Sequence, residues 1–218
     1  ITIDLLGHGQ SEWFENTPST MELQAQAVKT VLDHLNIKEC VMVGHSMGGY
    51  VSLAFAEAYP QYIKGLCLLH SHALADSNNV KEKREQTCNI INQNRASFII
   101  NFIPNLFAPA NHDKFYYEIK DLQDSALESK ADGLILAQKG IATRTSKIEL
   151  LKTINSPVLF IIGKQDSRIQ LDVAIAQASF PKHSEILILE NVGHMGHIES
   201  REIIKQRLLS FTYSCFAI

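Results

Sequence analysis

Apolar residues fall along the chain in two rhythms. Short, mainly apolar runs at 39–43, 65–69, 157–163 and 185–190 have strand length, and those at 39–43 and 65–69 read as the buried strands of a parallel sheet. Elsewhere the apolar positions recur at helical spacing. Met21, Ala25, Val28, Leu32 and Leu35 lie four and three apart, so one face of that helix packs on a sheet. Ser19-Thr20-Met21-Glu22 ahead of it reads as a capping box, with Ser19 accepting from the Glu22 N–H. A helix is also expected after residue 49, ending near Tyr59-Pro60, another over 171–178, and a last one from about Ser200 with Ile204, Leu208 and Phe211 as its buried stripe. Ile1-Thr2-Ile3-Asp4 alternates like a strand, and Leu5-Leu6-Gly7-His8-Gly9-Gln10-Ser11 follows as a glycine-rich turn. Strands that alternate with helices require crossovers, which predicts an α/β fold with a mainly parallel sheet and helices on both faces.

Between residues 76 and 150 the pattern changes. Strand signals stop, charged residues increase, and four helices are expected at 80–93, 96–102, 114–129 and 131–144, interrupted by Pro104, Pro109 and Gly140. The expected organisation is a core formed by 1–75 and 151–218 with a helical insertion at 76–150.

Composition narrows the functional classes. The 218 residues are 45% hydrophobic, enough for a sizeable core, and the formal charge of -3 offers no basic footprint for nucleic acid. The longest apolar runs, such as 158–162, are too short to span a bilayer, so no membrane partner is expected. Cys40, Cys67, Cys88 and Cys215 show no Cys-x-x-Cys spacing and read as small core residues in a reducing, cytoplasmic setting. A leader upstream of Ile1 would lie outside this sequence.

Candidate chemistry centres on Gly44-His45-Ser46-Met47-Gly48-Gly49, which joins an expected strand to an expected helix. Gly-x-Ser-x-Gly in that setting is a nucleophile elbow: the turn is so sharp that the serine takes strained backbone angles, and Gly44 and Gly48 supply the small flanking positions. A serine nucleophile needs a base, and the base needs an acceptor that fixes its tautomer. In parallel sheets such groups gather on loops beyond the carboxyl ends of strands. Gly163-Lys164-Gln165-Asp166 and Asn191-Val192-Gly193-His194-Met195-Gly196-His197 are two such loops, giving the chain order Ser, Asp, His.

These motifs resemble the α/β-hydrolases, in particular the esterase, lactonase and carbon–carbon bond hydrolase branch with a helical cap. Asp4 to Ser11 resembles the loop after that family's fourth strand, Pro157 to Asp166 its seventh strand and acid loop, and Gly193-His194-Met195 with Glu199 its histidine loop and the start of its final helix. The resemblance implies Ser46 as nucleophile, His194 as base, Asp166 as orienting acid and the Met47 N–H as one oxyanion donor. No cofactor is expected, and no metal, because no carboxylate or cysteine stands at ligand spacing to the clustered histidines. His197 is the reserve base and Asp76 the reserve acid. His45 reads as packing; His8, His70 and His72 read as turn or core residues, with His72 a possible pocket residue. Phe98, Phe102, Leu106 and Phe107 either pack within the cap or line an acyl pocket.

The expected function is a serine hydrolase cleaving a small carboxylic ester-type substrate. Thioesterase, lactonase and carbon–carbon bond hydrolase activities would use the same triad. A non-catalytic ligand-binding protein or an inactive fragment is the rival from another class. The family carries three strands before the Asp-x-x-Gly-His-Gly run, and the loop after the third gives a second oxyanion N–H. The expectation is therefore that these strands come from the same longer chain or from a second polypeptide.

Overall fold

The computed structural model describes residues 1–13, 17 and 19–217. Four parallel strands, β1 (Cys40–His45), β2 (Ile63–Leu69), β3 (Val158–Gly163) and β4 (Ser184–Leu189), form one sheet in the order β1-β2-β3-β4. Helices follow the strands in alternation. They are α1 (Met21–His34), α2 (Met47–Ala58), α3 (Asn78–Phe102), α4 (Tyr116–Glu128), α5 (Ala131–Thr143), α6 (Ile148–Thr153), α7 (Leu171–Ala178), α8 (Gly196–Glu199) and α9 (Arg201–Ala217).

Successive side chains of a strand point to opposite faces, and the core divides accordingly. Leu66, Leu68, Val158 and Phe160 pack with Leu53 and Phe55 of α2 and Val28 and Leu32 of α1. Cys67, Leu69, Leu159 and Ile161 face the other way, against Ile204, Phe211 and Cys215 of α9. The central strands β2 and β3 are thus covered on both faces, whereas the edge strands β1 and β4 leave Val43 and Ile186 exposed. All four cysteines are free thiols. No helix among the described residues is long and apolar enough to cross a membrane.

Two local expectations are corrected. Residues 1–4 form no strand, and Ile1 is 83% exposed. Alternation makes a strand only where a ladder partner exists, and β1 is an edge whose only neighbour among the described residues is β2. The second correction is at α1. Its N-cap is Thr20, whose hydroxyl accepts from Leu23 N–H at 3.1 Å. Ser19 donates instead to the Leu136 carbonyl at 2.7 Å, and Glu22 pairs with Lys147 at 3.3 Å. The capping box is broken because α5 passes close enough to draw the Ser19 hydroxyl away.

The segment between β2 and β3 is helical throughout its regular elements. Asn94, at φ -156° and ψ 79°, kinks α3 between the two stretches that the pattern separates. The phenylalanine alternatives resolve partly: Phe107 is buried with Ile99, Ile103, Phe115 and Ile119, and Phe98 stacks on Phe102 at 5.0 Å. Met195 joins this cluster, so the loop after β4 is anchored in the helical segment.

Candidate active site

Ser46 caps α2 with φ 52° and ψ -116°, a conformation that a non-glycine residue holds only when its surroundings force it. Here the Ser46 N–H donates to the Leu69 carbonyl at 3.0 Å, and the Ser71 hydroxyl donates to the Ser46 carbonyl at 2.8 Å. No cap hydrogen bond holds the Ser46 hydroxyl to α2. Met47 opens that helix, so its N–H has no intrahelical acceptor and lies at the positive end of the dipole.

The glycine requirement differs from the sequence expectation at one position. A Cβ at Gly44 would overlap the Gly48 carbonyl, and one at Gly49 would overlap the Ser71 hydroxyl. A Cβ at Gly48 would meet nothing within 4 Å. The close approach is therefore made by Gly44 and Gly49.

Asp166 leaves β3 in a tight turn. Its Oδ1 accepts from the N–H groups of Arg168 at 2.8 Å and Ile169 at 2.9 Å, which fixes the carboxylate plane. His194 Nδ1 lies 3.0 Å from Oδ1 and 2.9 Å from Oδ2. Burial raises the Asp166 pKa, but hydrogen bonds from His194 and His70 outweigh it and hold the carboxyl well below the usual carboxylate range. The His194 backbone N–H donates to the Leu106 carbonyl at 2.6 Å. Glu199 braces the same loop, accepting from Gly193 N–H at 2.9 Å, Ala108 N–H at 2.9 Å and Asn111 Nδ2 at 2.7 Å. Gly193 is needed because a Cβ there would lie 2.5 Å from Ala108 N.

His45 ties this loop to the elbow. Its Nε2 donates to the His194 carbonyl at 2.8 Å, and the two rings are 4.9 Å apart. Burial, then the charge of His194, pulls the His45 pKa down to about 3, so the ring is a neutral donor at ordinary pH. His197 packs on His45 at 4.8 Å, its pKa lowered to about 4 mainly by burial, and its buried Nδ1 has no hydrogen-bond partner among the described residues. Asp76 is engaged elsewhere, clasped by Arg84 and Arg144. The structure thus brings His194 to Asp166, and the His194 loop to the residue preceding Ser46. Among the described residues no hydrogen bond joins the Ser46 hydroxyl to His194.

A family model described as alpha/beta hydrolase fold matches residues 1–200. The chain belongs to the α/β-hydrolase family. Similar proteins are enzymes of hydrolysis. A 2-hydroxy-6-oxononadienedioate/2-hydroxy-6-oxononatrienedioate hydrolase of Paraburkholderia phymatum is 25% identical over 222 residues, covering 97% of this chain and 75% of the relative. Among solved structures, a thermophilic esterase from Thermogutta terrifontis superposes with a TM-score of 0.91 at 27% identity, over 97% of this chain and 78% of that one. The enol-lactonase from Burkholderia xenovorans LB400, at 20% identity, a TM-score of 0.83 and coverage of 95% and 78%, shares the fold.

This α/β-hydrolase places one group at its site that sequence reasoning assigned to turn or core. His70, fully buried at the exit of β2, sets its Nδ1 2.9 Å from Asp166 Oδ2. No motif marks it; only the pairing of β2 with β3 brings the two strand exits together. The ligand atoms of His70, Asp166 and His194 lie within 4.8 Å of one another, a set chemically able to hold a metal. Both Nδ1 atoms already face the carboxylate as donors, so an ion there would have to displace two protons.

Proposed function

We propose that this α/β-hydrolase is a serine esterase acting on small carboxylic esters, with Ser46 as nucleophile, His194 as base, Asp166 as orienting acid and Met47 N–H as an oxyanion donor. The observation that carries the proposal is the buried Asp166 carboxylate on His194 Nδ1 in a loop tied, through His45, to the strained Ser46 turn. With Nδ1–H directed at Asp166, His194 Nε2 is the free base. It takes the Ser46 proton as Oγ attacks the carbonyl carbon, and the new oxyanion is received by Met47 N–H. His194 then gives its proton to the leaving alcohol, activates water and releases the acid.

The helical segment 76–150 acts on this reading as a cap, supported by the seating of Leu106–Ala108 on the His194 loop and by Arg168 lying 4.6 Å from the Phe102 ring. A second oxyanion donor would come from the loop that follows a strand laid along the outer edge of β1, where Val43 is 42% exposed, supplied by the same longer chain or a second polypeptide. The similarity to oxononadienedioate hydrolases favours carbon–carbon bond hydrolysis by the same groups as the second reading. Ser46→Ala should abolish hydrolysis of p-nitrophenyl acetate and labelling by a fluorophosphonate; unchanged turnover and labelling would overturn the assignment. A panel of esters, lactones, thioesters and vinylogous diketones separates the substrate classes.

A further inference from the structure

Asp166 receives two imidazoles, and the reaction proposed above uses one. The other, His70, is held with unusual insistence. It is a non-glycine residue at φ 48°, its backbone N–H donates to the Ile161 carbonyl at 2.8 Å, and its side chain is fully buried. On one side of the ring, Nδ1 faces Asp166 Oδ2 at 2.9 Å. On the other, Nε2 has no hydrogen-bond partner among the described residues and lies so close to Gly196 that a Cβ there would overlap it.

These surroundings select one tautomer. A carboxylate only accepts, so the proton of the neutral ring sits on Nδ1, which faces Asp166, and not on the buried Nε2. We propose that His70 is a positioning residue for hydrolysis: it donates permanently to Asp166 Oδ2, fixing that carboxylate between two imidazoles and limiting the negative charge it presents to His194. The inference rests on the Ser46, His194 and Asp166 reading.

The consequence has a sign. Oδ2 now divides its acceptor capacity between His70 and His194, each at 2.9 Å. Without the His70 donor, that oxygen turns its charge on His194 alone, which favours the imidazolium and raises the pH at which His194 becomes a base. A hydrogen bond to a charged group is strong enough to move the ascending limb of kcat/KM upward by about one pH unit. The other titratable or charged groups acting on the cluster are His45 from β1, His197 from α8, Arg168 from the turn after β3, Tyr50 from α2 and His72 from the loop after β2. His45 and His197, held near 3 and 4, titrate below that limb.

The test compares His70→Leu, which removes the donor, with His70→Asn, whose amide N–H can occupy the place of Nδ1–H. For p-nitrophenyl acetate, His70→Leu should shift the ascending limb up by about one unit and lower kcat about tenfold with KM little changed, and His70→Asn should restore the limb. A folded His70→Leu enzyme with the wild-type limb overturns the proposal, as does a His70→Asn limb displaced as far as that of His70→Leu. Nitrogen-15 NMR of histidine-labelled wild-type protein gives a readout independent of either variant: His70 should be protonated at Nδ1 and bare at Nε2, and the reverse tautomer overturns the proposal. Ser46→Ala run in parallel separates the two levels. Hydrolysis that survives Ser46→Ala refutes the reaction, whereas Ser46-dependent hydrolysis indifferent to His70 refutes only the positioning role.

Discussion

Asp76 and Asp166 follow neighbouring strands, and both carboxylates are buried, with side chains 5% and 0% exposed. Both are also held in the charged form against the penalty of burial. What differs is the partner. Asp76 sits between Arg84 and Arg144, and Arg144 is itself fixed by the Leu74 and Ile141 carbonyls and by the Tyr50 ring at 4.0 Å. This clasp joins the start of the helical segment to its end, and guanidinium charge does not titrate in the working range. The cavity beside it, about 10 Å³ in volume and lined by Tyr50, His72 and Arg144, holds no more than a water. Asp166 sits instead between the imidazoles of His194 and His70, each with Nδ1 2.9 Å from Oδ2. A buried carboxylate paired with guanidinium stores its charge in structure; one paired with imidazole makes that charge available to chemistry.

Exchanging the two effects is the most severe way to break this comparison. Asp166→Asn should lower kcat by about 10³ to 10⁴, since His194 would lose the acceptor that fixes its tautomer. Asp76→Ala should leave kcat within about tenfold yet cost about 3–5 kcal/mol of stability, because two guanidiniums would be left without their buried counter-charge. Urea unfolding and ester kinetics on both variants decide the matter. Loss of turnover in a fully stable Asp76→Ala protein would make Asp76 the acid.

A change of pH sharpens the same contrast at smaller amplitude. His45 and His197 lie on the Asp166 side, and His72, edge-on to the Tyr50 ring at 5.5 Å, lies on the Asp76 side; their pKa values are depressed to about 3, about 4 and about 4. A depressed folded-state value means that the unfolded chain binds the proton more readily, so the stabilisation is complete above 6.5 and declines as pH falls towards the folded value. Each of the three should cost about 1–2 kcal/mol between pH 7 and pH 5. The two aspartates, also depressed, add their loss only below the ordinary carboxylate range. Urea midpoints that do not fall over pH 7 to 5 would contradict this, and His72→Gln should remove one share of the slope.

How much of this could be read from residue order depends on how local the cause is. The unbroken run over 158–162 specifies a strand covered on both faces wherever it lies, and its residues are all buried. The break at Asn94 falls between the two helices expected at 80–93 and 96–102. The Thr20 cap was not, because the competitor for Ser19 is the Leu136 carbonyl, 117 residues away. His70 and Arg144 belong to the same class: what each does depends on neighbours that only the completed sheet and helical segment deliver. Asp76 and Asp166 are alike as loop aspartates after strands, so residue order with the family resemblance favoured one, and the partners of each separate them in space.

The smallest effect concerns the elbow itself, where residue pattern and packing disagree. Gly48 belongs to the Gly-x-Ser-x-Gly pattern, yet a methyl group at that position meets no atom within 4 Å and the backbone there is helical. Gly49 lies outside the pattern, yet a methyl group there would strike Ser71, whose hydroxyl holds the Ser46 carbonyl. If contact rather than pattern sets the requirement, Gly48→Ala should stabilise the protein by about 0.5–1 kcal/mol through the stiffer unfolded chain and better helix propensity. Gly49→Ala should destabilise it by about 1–3 kcal/mol as the elbow shifts to relieve the overlap. Thermal unfolding of the two variants reads the difference directly, and destabilisation by Gly48→Ala would return the steric role to the patterned glycine.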